Sequence, residues 1–280
     1  MTAAAILPVR RDFKFHLPAE KIHDWNGAGV HWTQFLNTLS IFFPAGERFF
    51  IDSVRNYRDQ INDPELAKAI KAFIGQEAMH TREHVEYNDA MVAANLPAEK
   101  FDAQVSALLE AVKKYVPKEG QLAATIALEH LTAVLADMLL KDPQFLANSD
   151  ERYAALWMWH AVEETEHKGV AFDVYEEVMG KGMGAYGLRV GAFVVANVIF
   201  WSLFYPYYFS MVKSSKKHRD LRGWWKSLRY QWGNPGGLRR IVPDWLDYFR
   251  PGFHPWDHDN RHFLEQVKGL QQSVERFVGV

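Results

Sequence analysis

Two Glu-x-x-His pairs, Glu77-Ala-Met-His80 and Glu164-Thr-Glu-His167, carry the chemistry this sequence offers most directly. Residues three apart share one face of a helix, so each pair aims a carboxylate and an imidazole the same way, a donor set that suits divalent metals. Frequency does not single them out, because 18 Glu and 12 His in 280 residues give about one such pair by chance. Position does. Glu47 lies 16 residues before Asp63 and Glu77 lies 14 after it. A chain that turns at Asn62-Asp63-Pro64 and rises about 1.5 Å per residue brings both carboxylates to nearly the same height. Glu129 stands 17 residues before Leu146 and Glu164 stands 18 after it, so a second turn there repeats the arrangement. Four glutamates and two histidines are thereby expected to converge on one metal site.

Other titratable residues compete for roles around it. His160 precedes Glu164 by four residues and shares its helical face; it is either a further ligand or a core histidine between Trp157 and Trp159. His84, four after His80, is either a ligand, a histidine that supports a ligand from behind, or a surface histidine. A rival motif, His80-Thr-Arg-Glu83-His84, has the inverted zinc-protease spacing and would make Glu83 the base of a hydrolase; it leaves Glu47, Glu129, Glu164 and His167 without a task. Beyond the metal ligands no other catalytic residue is expected. His130 points about 100° away from Glu129 and reads as structural. Glu163 and Glu166 read as a solvated face, and Asp137 offers to orient a ligating histidine from behind. His254, Asp257, His258 and His262 form a second cluster, read as a Pro-rich tail clamped by aromatic packing in preference to an accessory metal site or lid.

The elements that must hold these residues are helices. Four long segments have helical periodicity and no stretch alternates with period two, so the fold class is all-α. The expected helices are Val30 to Asn62, Pro64 to about Asn95, Glu119 to Lys141 and Glu151 to Met179. Asp63 serves as an N-cap with Pro64 in the first position, and Pro97 to Val116 joins the two hairpins. The expected division is an N-terminal extension over residues 1–29, the metal bundle over 30–179, and an apolar, aromatic and basic extension over 180–280.

Composition narrows the partners. The chain is 48% hydrophobic with 32 basic and 34 acidic residues, which excludes disorder and gives no general attraction for nucleic acid. Cysteine is absent, which removes disulfides, thiolate nucleophiles and iron–sulfur clusters together. The start, Met1 to Phe15, places a short apolar run before its arginines, the reverse of a secretory leader, so a cytoplasmic location is expected. One segment strains that expectation: Val190 to Val212 is an uncharged run of 23 residues, about 34 Å as a helix and enough to cross a bilayer. Asn197, Ser202 and Pro206 favour protein contact over lipid, and Lys213 beyond the run begins a basic flank. A buried fifth helix or dimer face, or a membrane-surface element through 190–225 with Trp201, Trp224 and Trp225 at headgroup depth, fits better than a span.

The ordered set of one Glu from each of two helices and Glu-x-x-His from each of the other two resembles the ferritin-like superfamily of dinuclear carboxylate proteins over Val30 to Met179. The whole chain, including the tail from Tyr248 to His258, is similar to a bacterial ferritin-like family labelled metal-dependent hydrolase. The resemblance implies a four-helix bundle with a long crossover that binds two iron ions, with manganese or zinc as alternatives. It implies Glu77 and Glu164 as bridges, Glu47 and Glu129 as terminal ligands, and His80 and His167 each capping one metal. His160, with Glu164 and His167, also resembles the site of aryl-amine N-oxygenases, in which a third histidine joins one iron. The leading expectation is an O₂-dependent di-iron oxygenase or oxidase acting on a small organic substrate, with an electron donor the sequence does not name. The alternative is a metal-dependent hydrolase, and the third reading is a non-catalytic metal-binding or membrane-associated protein.

Overall fold

The computed structural model describes residues 6–278; Met1 to Ala5, where the leader reading begins, and Gly279 to Val280 lie outside them. The described residues are helical throughout, with no strand among them. Helix α1 (Val30–Arg55) follows Gly29, whose φ of 99° and ψ of 179° suit glycine alone. It ends seven residues earlier than expected, in a turn and a short 3₁₀ segment (Arg58–Gln60). Helix α2 (Pro64–Ala93) starts as expected, with Asp63 Oδ1 accepting from the Glu65 N–H at 2.9 Å. Helix α3 (Ala98–Tyr115) is the connector and packs across α1 and α2. Helix α4 (Lys118–Lys141) leads into α5 (Glu151–His167), capped by Asp150, whose Oδ1 accepts from the Arg152 N–H at 3.1 Å.

The expected helix Glu151 to Met179 is broken in two, with α6 (Val170–Met179) following α5 across Lys168 and Gly169. A segment far along the chain meets the break: Trp256 packs so closely on Gly169 that a Cβ there would stand 2.7 Å from the indole Nε1. Only a residue without a side chain admits that contact.

Helices α1 and α2 form one packed pair, α4 with α5 and α6 the other, and α1 against α4 and α2 against α5 close the four around a common interior. Two apolar clusters fill it. One is built around Trp32, Phe35, Leu39, Trp157 and Trp159, the other around Phe49, Phe73, Ile126, Ala127 and Val170. Between them lies a buried belt of polar residues.

The apolar run becomes part of α7 (Met183–Ser214), followed by α8 (Leu221–Trp232), α9 (Gly237–Asp247) and α10 (Val267–Val278). Both α4 and α7 are long and apolar enough to cross a membrane; α4 is enclosed in the core, whereas α7 is covered on one side only. Its inner face, with Phe193, Asn197, Phe204, Tyr208 and Met211, rests on α1 and α4. Arg189 on that face donates from both guanidinium nitrogens, at 2.8 Å each, to the carbonyls of Tyr248 and Arg250.

Candidate metal centre

The six residues matched by height do meet. Glu47 on α1, Glu77 and His80 on α2, Glu129 on α4, and Glu164 and His167 on α5 are all at most 3% exposed. His167 Nε2 lies 3.1 Å from Glu77 Oε1, 3.4 Å from Glu164 Oε1 and 3.7 Å from Glu129 Oε2. Glu164 Oε1 also lies 3.2 Å from His160 Nε2 and 3.8 Å from His80 Nδ1. Donor atoms cluster in four overlapping groups: Glu77, Glu164 and His167; Glu47, Glu77 and His80; His80, His160 and Glu164; and Glu47, His84 and His160. Glu47, Glu77, His80, His160 and Glu164 each belong to two groups, while Glu129 belongs to none and lies 3.7 Å from His167 Nε2.

The centre is rich in buried acceptors without donors. Both oxygens of Glu47, Glu77 and Glu129, and Glu164 Oε2, have no hydrogen-bond partner among the described residues. Leaving such groups dry and unpaired is costly. Burial pushes the Glu47, Glu77 and Glu129 carboxyls well above the usual range, and their mutual repulsion, with that of Glu164, adds to it.

The hydrogen-bond network fixes where the imidazole protons sit. Gln76 donates from Nε2 to Glu166 Oε2 at 2.7 Å and to the Val9 carbonyl at 3.1 Å, so its Oε1 is the acceptor facing His167 Nδ1 at 3.0 Å. His167 therefore carries a proton on Nδ1, and its Nε2 faces three carboxylates.

His160 is set by a longer relay that begins with a proline. Pro44 in α1 has no N–H, which leaves the Ser40 carbonyl without its helical donor, and Asn88 Nδ2 donates to that carbonyl at 3.3 Å. Asn88 is thereby oriented with Oδ1 toward Ser40, which donates its hydroxyl proton there at 2.8 Å. The Ser40 oxygen then accepts from His84 Nδ1 at 2.9 Å. Burial holds His84 well below the usual imidazole value and so neutral, which makes its Nε2 an acceptor for the His160 Nδ1–H at 2.8 Å. His160 thus carries a proton on Nδ1 as well, and its Nε2 faces Glu164. At both imidazoles Nε2 is therefore the nitrogen turned toward the carboxylates, the one that would serve a cation placed among them.

Ser40→Ala removes the acceptor that pins His84 and lets its proton shift to Nε2, toward His160. Metal affinity measured by competition with a chromophoric chelator is expected to fall about 10- to 100-fold; unchanged affinity would show that the relay orients nothing.

Several sequence expectations need correction. Glu83 does not join the centre: its carboxylate accepts from Arg82 Nε at 2.8 Å and from the Phe15 N–H at 3.4 Å, so the inverted zinc-protease arrangement is not formed. Glu163 and Glu166 are not a solvated face. Residues 9–15 lie over α2 and α5, and Arg11 binds Glu163 at 3.0 Å and Glu166 at 2.6 Å, leaving both carboxylates buried. Glu163 Oε2 lies 3.2 Å from His80 Nε2, and burial raises its carboxyl to about 8. Asp137 orients no ligand; it pairs with Lys141 and accepts from Asn260 Nδ2 at 3.2 Å. His130 is a core histidine, as expected, pushed down to about 3 by burial beside Phe193, Tyr248 and Phe253. In the tail, His254 pairs with Asp173 and His258 with Asp247, while Asp257 takes Arg250 and His262 lies against Phe263; the four do not gather around one point. Gln76, Ser40, Asn88 and Arg11 were not foreseen. The only trace of them is spacing: Gln76 adjoins Glu77, and Asn88 follows His84 by one turn.

An apolar cleft lined by Leu36, Leu39, Phe43, Leu135, Trp157 and Ala161 reaches the centre at His160. In comparisons with known proteins, no curated protein and no solved structure matches the chain. One family model does, over residues 9–259, from the N-terminal segment across the centre to the tail. The chain belongs to the family described as "predicted metal-dependent hydrolase".

Proposed function

We propose that this chain is a metal-dependent hydrolase built on a ferritin-like pair of helical hairpins, with a dinuclear centre held by carboxylates and imidazoles. The observation that carries the reading is a buried belt of carboxylates without hydrogen-bond partners, with His160 Nε2 and His167 Nε2 turned into it at 3.1–3.7 Å from carboxylate oxygens. Glu77 and Glu164, which both face His167 Nε2, would be the carboxylates shared between two ions. Glu47, His80 and His160 would help hold one ion, and Glu129 and His167 the other. His84 acts from behind His160 and is not a ligand. When bound, divalent cations supply Lewis acidity and lower the pKa of a coordinated water. Four carboxylates balance four positive charges, and neutral imidazoles add donors without adding charge. Gln76 and the Ser40–His84 relay orient the two imidazoles, and the apolar cleft beside His160, about 20 Å³ in volume, keeps bulk water from that side of the centre.

Cations must displace protons from carboxyls that burial has raised, so metal affinity is expected to increase with pH above the ordinary carboxylate range. Chelator competition at pH 6 and pH 8 checks this, and a flat profile would contradict it.

The donor set itself favours a second reading. Four carboxylates with imidazoles suit two irons, and such a centre enclosed by aromatic residues fits O₂-dependent oxidation of a small organic substrate. Assays of metal-loaded chain on aryl esters with and without O₂ separate the two. Hydrolysis undiminished without O₂, and lost in Glu77→Gln, is the expected outcome; turnover that stops without O₂ selects the oxidase.

A further inference from the structure

The outer side of α7 is uncovered and apolar. Val194, Val195, Val198, Ile199, Tyr205 and Phe209 are exposed along it, Val198 to 60%. That surface continues onto α8. Tyr205 donates to Gln231 at 3.2 Å, and Phe209 stacks on Trp224 with ring centroids 5.9 Å apart. On α8 itself Leu221, Trp225, Leu228 and Trp232 recur at intervals of four, three and four residues, which makes one helical stripe. All four are exposed, Leu221 to 79% and Trp225 to 64%. Single exposed apolar residues are ordinary, but a contiguous face of this extent marks a contact site.

The charge beside it is one-sided. Between Gly182 and Arg240 the chain has ten Lys and Arg and a single acid, Asp220, although the whole chain has a net charge of −2. Arg222, Lys226 and Arg229 flank the apolar stripe of α8, and none pairs with a carboxylate among the described residues. Lys213 stands in the last turn of α7, and Lys216, Lys217 and Arg219 lie in the turn that joins it to α8.

We propose that this face docks on an anionic lipid surface, with α7 and α8 lying in the plane of the interface. Exposed tryptophans, an apolar stripe and an adjoining basic edge on one helix are the elements that hold a helix at headgroup depth. A span is incompatible with the packing. The inner face of α7 rests on α1 and α4, and Arg189 on it is bound to two backbone carbonyls, so α7 cannot enter lipid on all sides without abandoning them. A second copy is also disfavoured, because a two-fold contact through this face sets the same basic edge against itself.

The test is co-sedimentation of the full chain with vesicles of phosphatidylcholine alone and of phosphatidylcholine with about one-third phosphatidylglycerol. Binding is expected to the anionic vesicles only, with release at about 0.5 M salt. Two double variants change only exposed side chains, and their folding is checked by thermal melting: Trp225→Ser with Trp232→Ser, and Lys226→Glu with Arg229→Glu. Each is expected to weaken vesicle binding at least about tenfold. Absence of binding to anionic vesicles, or equal binding by wild type and variants, overturns the proposal. So does a dimer in light scattering that the tryptophan variant dissolves in a chain with no affinity for vesicles, which would assign the face to a second copy.

Discussion

Glu164→Gln is expected to lower bound metal from two ions per chain to one or none and to reduce turnover by about 10³-fold or more. The substitution keeps volume and shape but removes the charge, and it replaces an oxygen donor by an NH₂ group that no metal accepts. Glu164 Oε1 lies within 3.8 Å of three imidazole nitrogens, from His80, His160 and His167, so no other carboxylate contributes to as many contacts in the centre. The metal-free variant is expected to melt below metal-free wild type, because His167 and His160 hold the Glu164 carboxyl well below the usual range against its burial and lose their charged partner. Elemental analysis after desalting, paired with melting of the chelated proteins, reads both effects. Two ions retained at full occupancy would remove Glu164 from the site.

Arg11→Ala is expected to destabilise the fold by about 3–5 kcal/mol, the usual effect of stripping one member from a buried ion cluster. In a chain of this size that corresponds to a fall in Tm of roughly 6–15 °C. Arg11 is 13% exposed and is the cation that faces Glu163 and Glu166, which are 0% and 5% exposed. The pH dependence gives a second signature. Glu163 has a folded value of about 8 against an ordinary 4.5, so the stability its protonated form contributes is present below pH 4.5 and lost as pH rises toward 8. Without Arg11 the folded value moves higher, and the loss continues beyond pH 8. The gap between variant and wild type is thus expected to widen from pH 6 to pH 9 in thermal melts. An equal gap at both values would mean that Arg11 acts by packing and not by charge.

Much of the centre was legible because helical geometry is local and additive. Glu47 and Glu77, measured from Asp63, and Glu129 and Glu164, measured from Leu146, reached common heights through rise per residue alone. Where the sequence misled, the deciding contact came from elsewhere in the chain. Glu163 and Glu166 look solvated on α5 until residues 9–15 cross them, more than 150 positions away. The close contact of Trp256 with Gly169 at the break between α5 and α6 comes from the tail, and nothing within either helix announces it. Asp137 has the right helical phase to support a ligand but is drawn to Lys141, four residues on. The choice between His84 and His160 was open on spacing, because both lie one turn from a ligand. It is the carbonyl freed by Pro44, through Asn88 and Ser40, that sets their protons. The run from Val190 to Val212 posed a choice between core and lipid, and α7 divides it by face, with one side on the protein and the other uncovered.

On the proposed dinuclear reading, two cations would be held in the belt between the two apolar clusters. Diffraction from metal-loaded crystals, recorded on both sides of the metal absorption edge, tests it most directly. The account predicts two anomalous peaks per chain between Glu77 and Glu164, one within bonding distance of His160 Nε2 and the other of His167 Nε2. No peak among these residues, or a single peak held by His80 and His84 with Glu83 turned toward it, would contradict it.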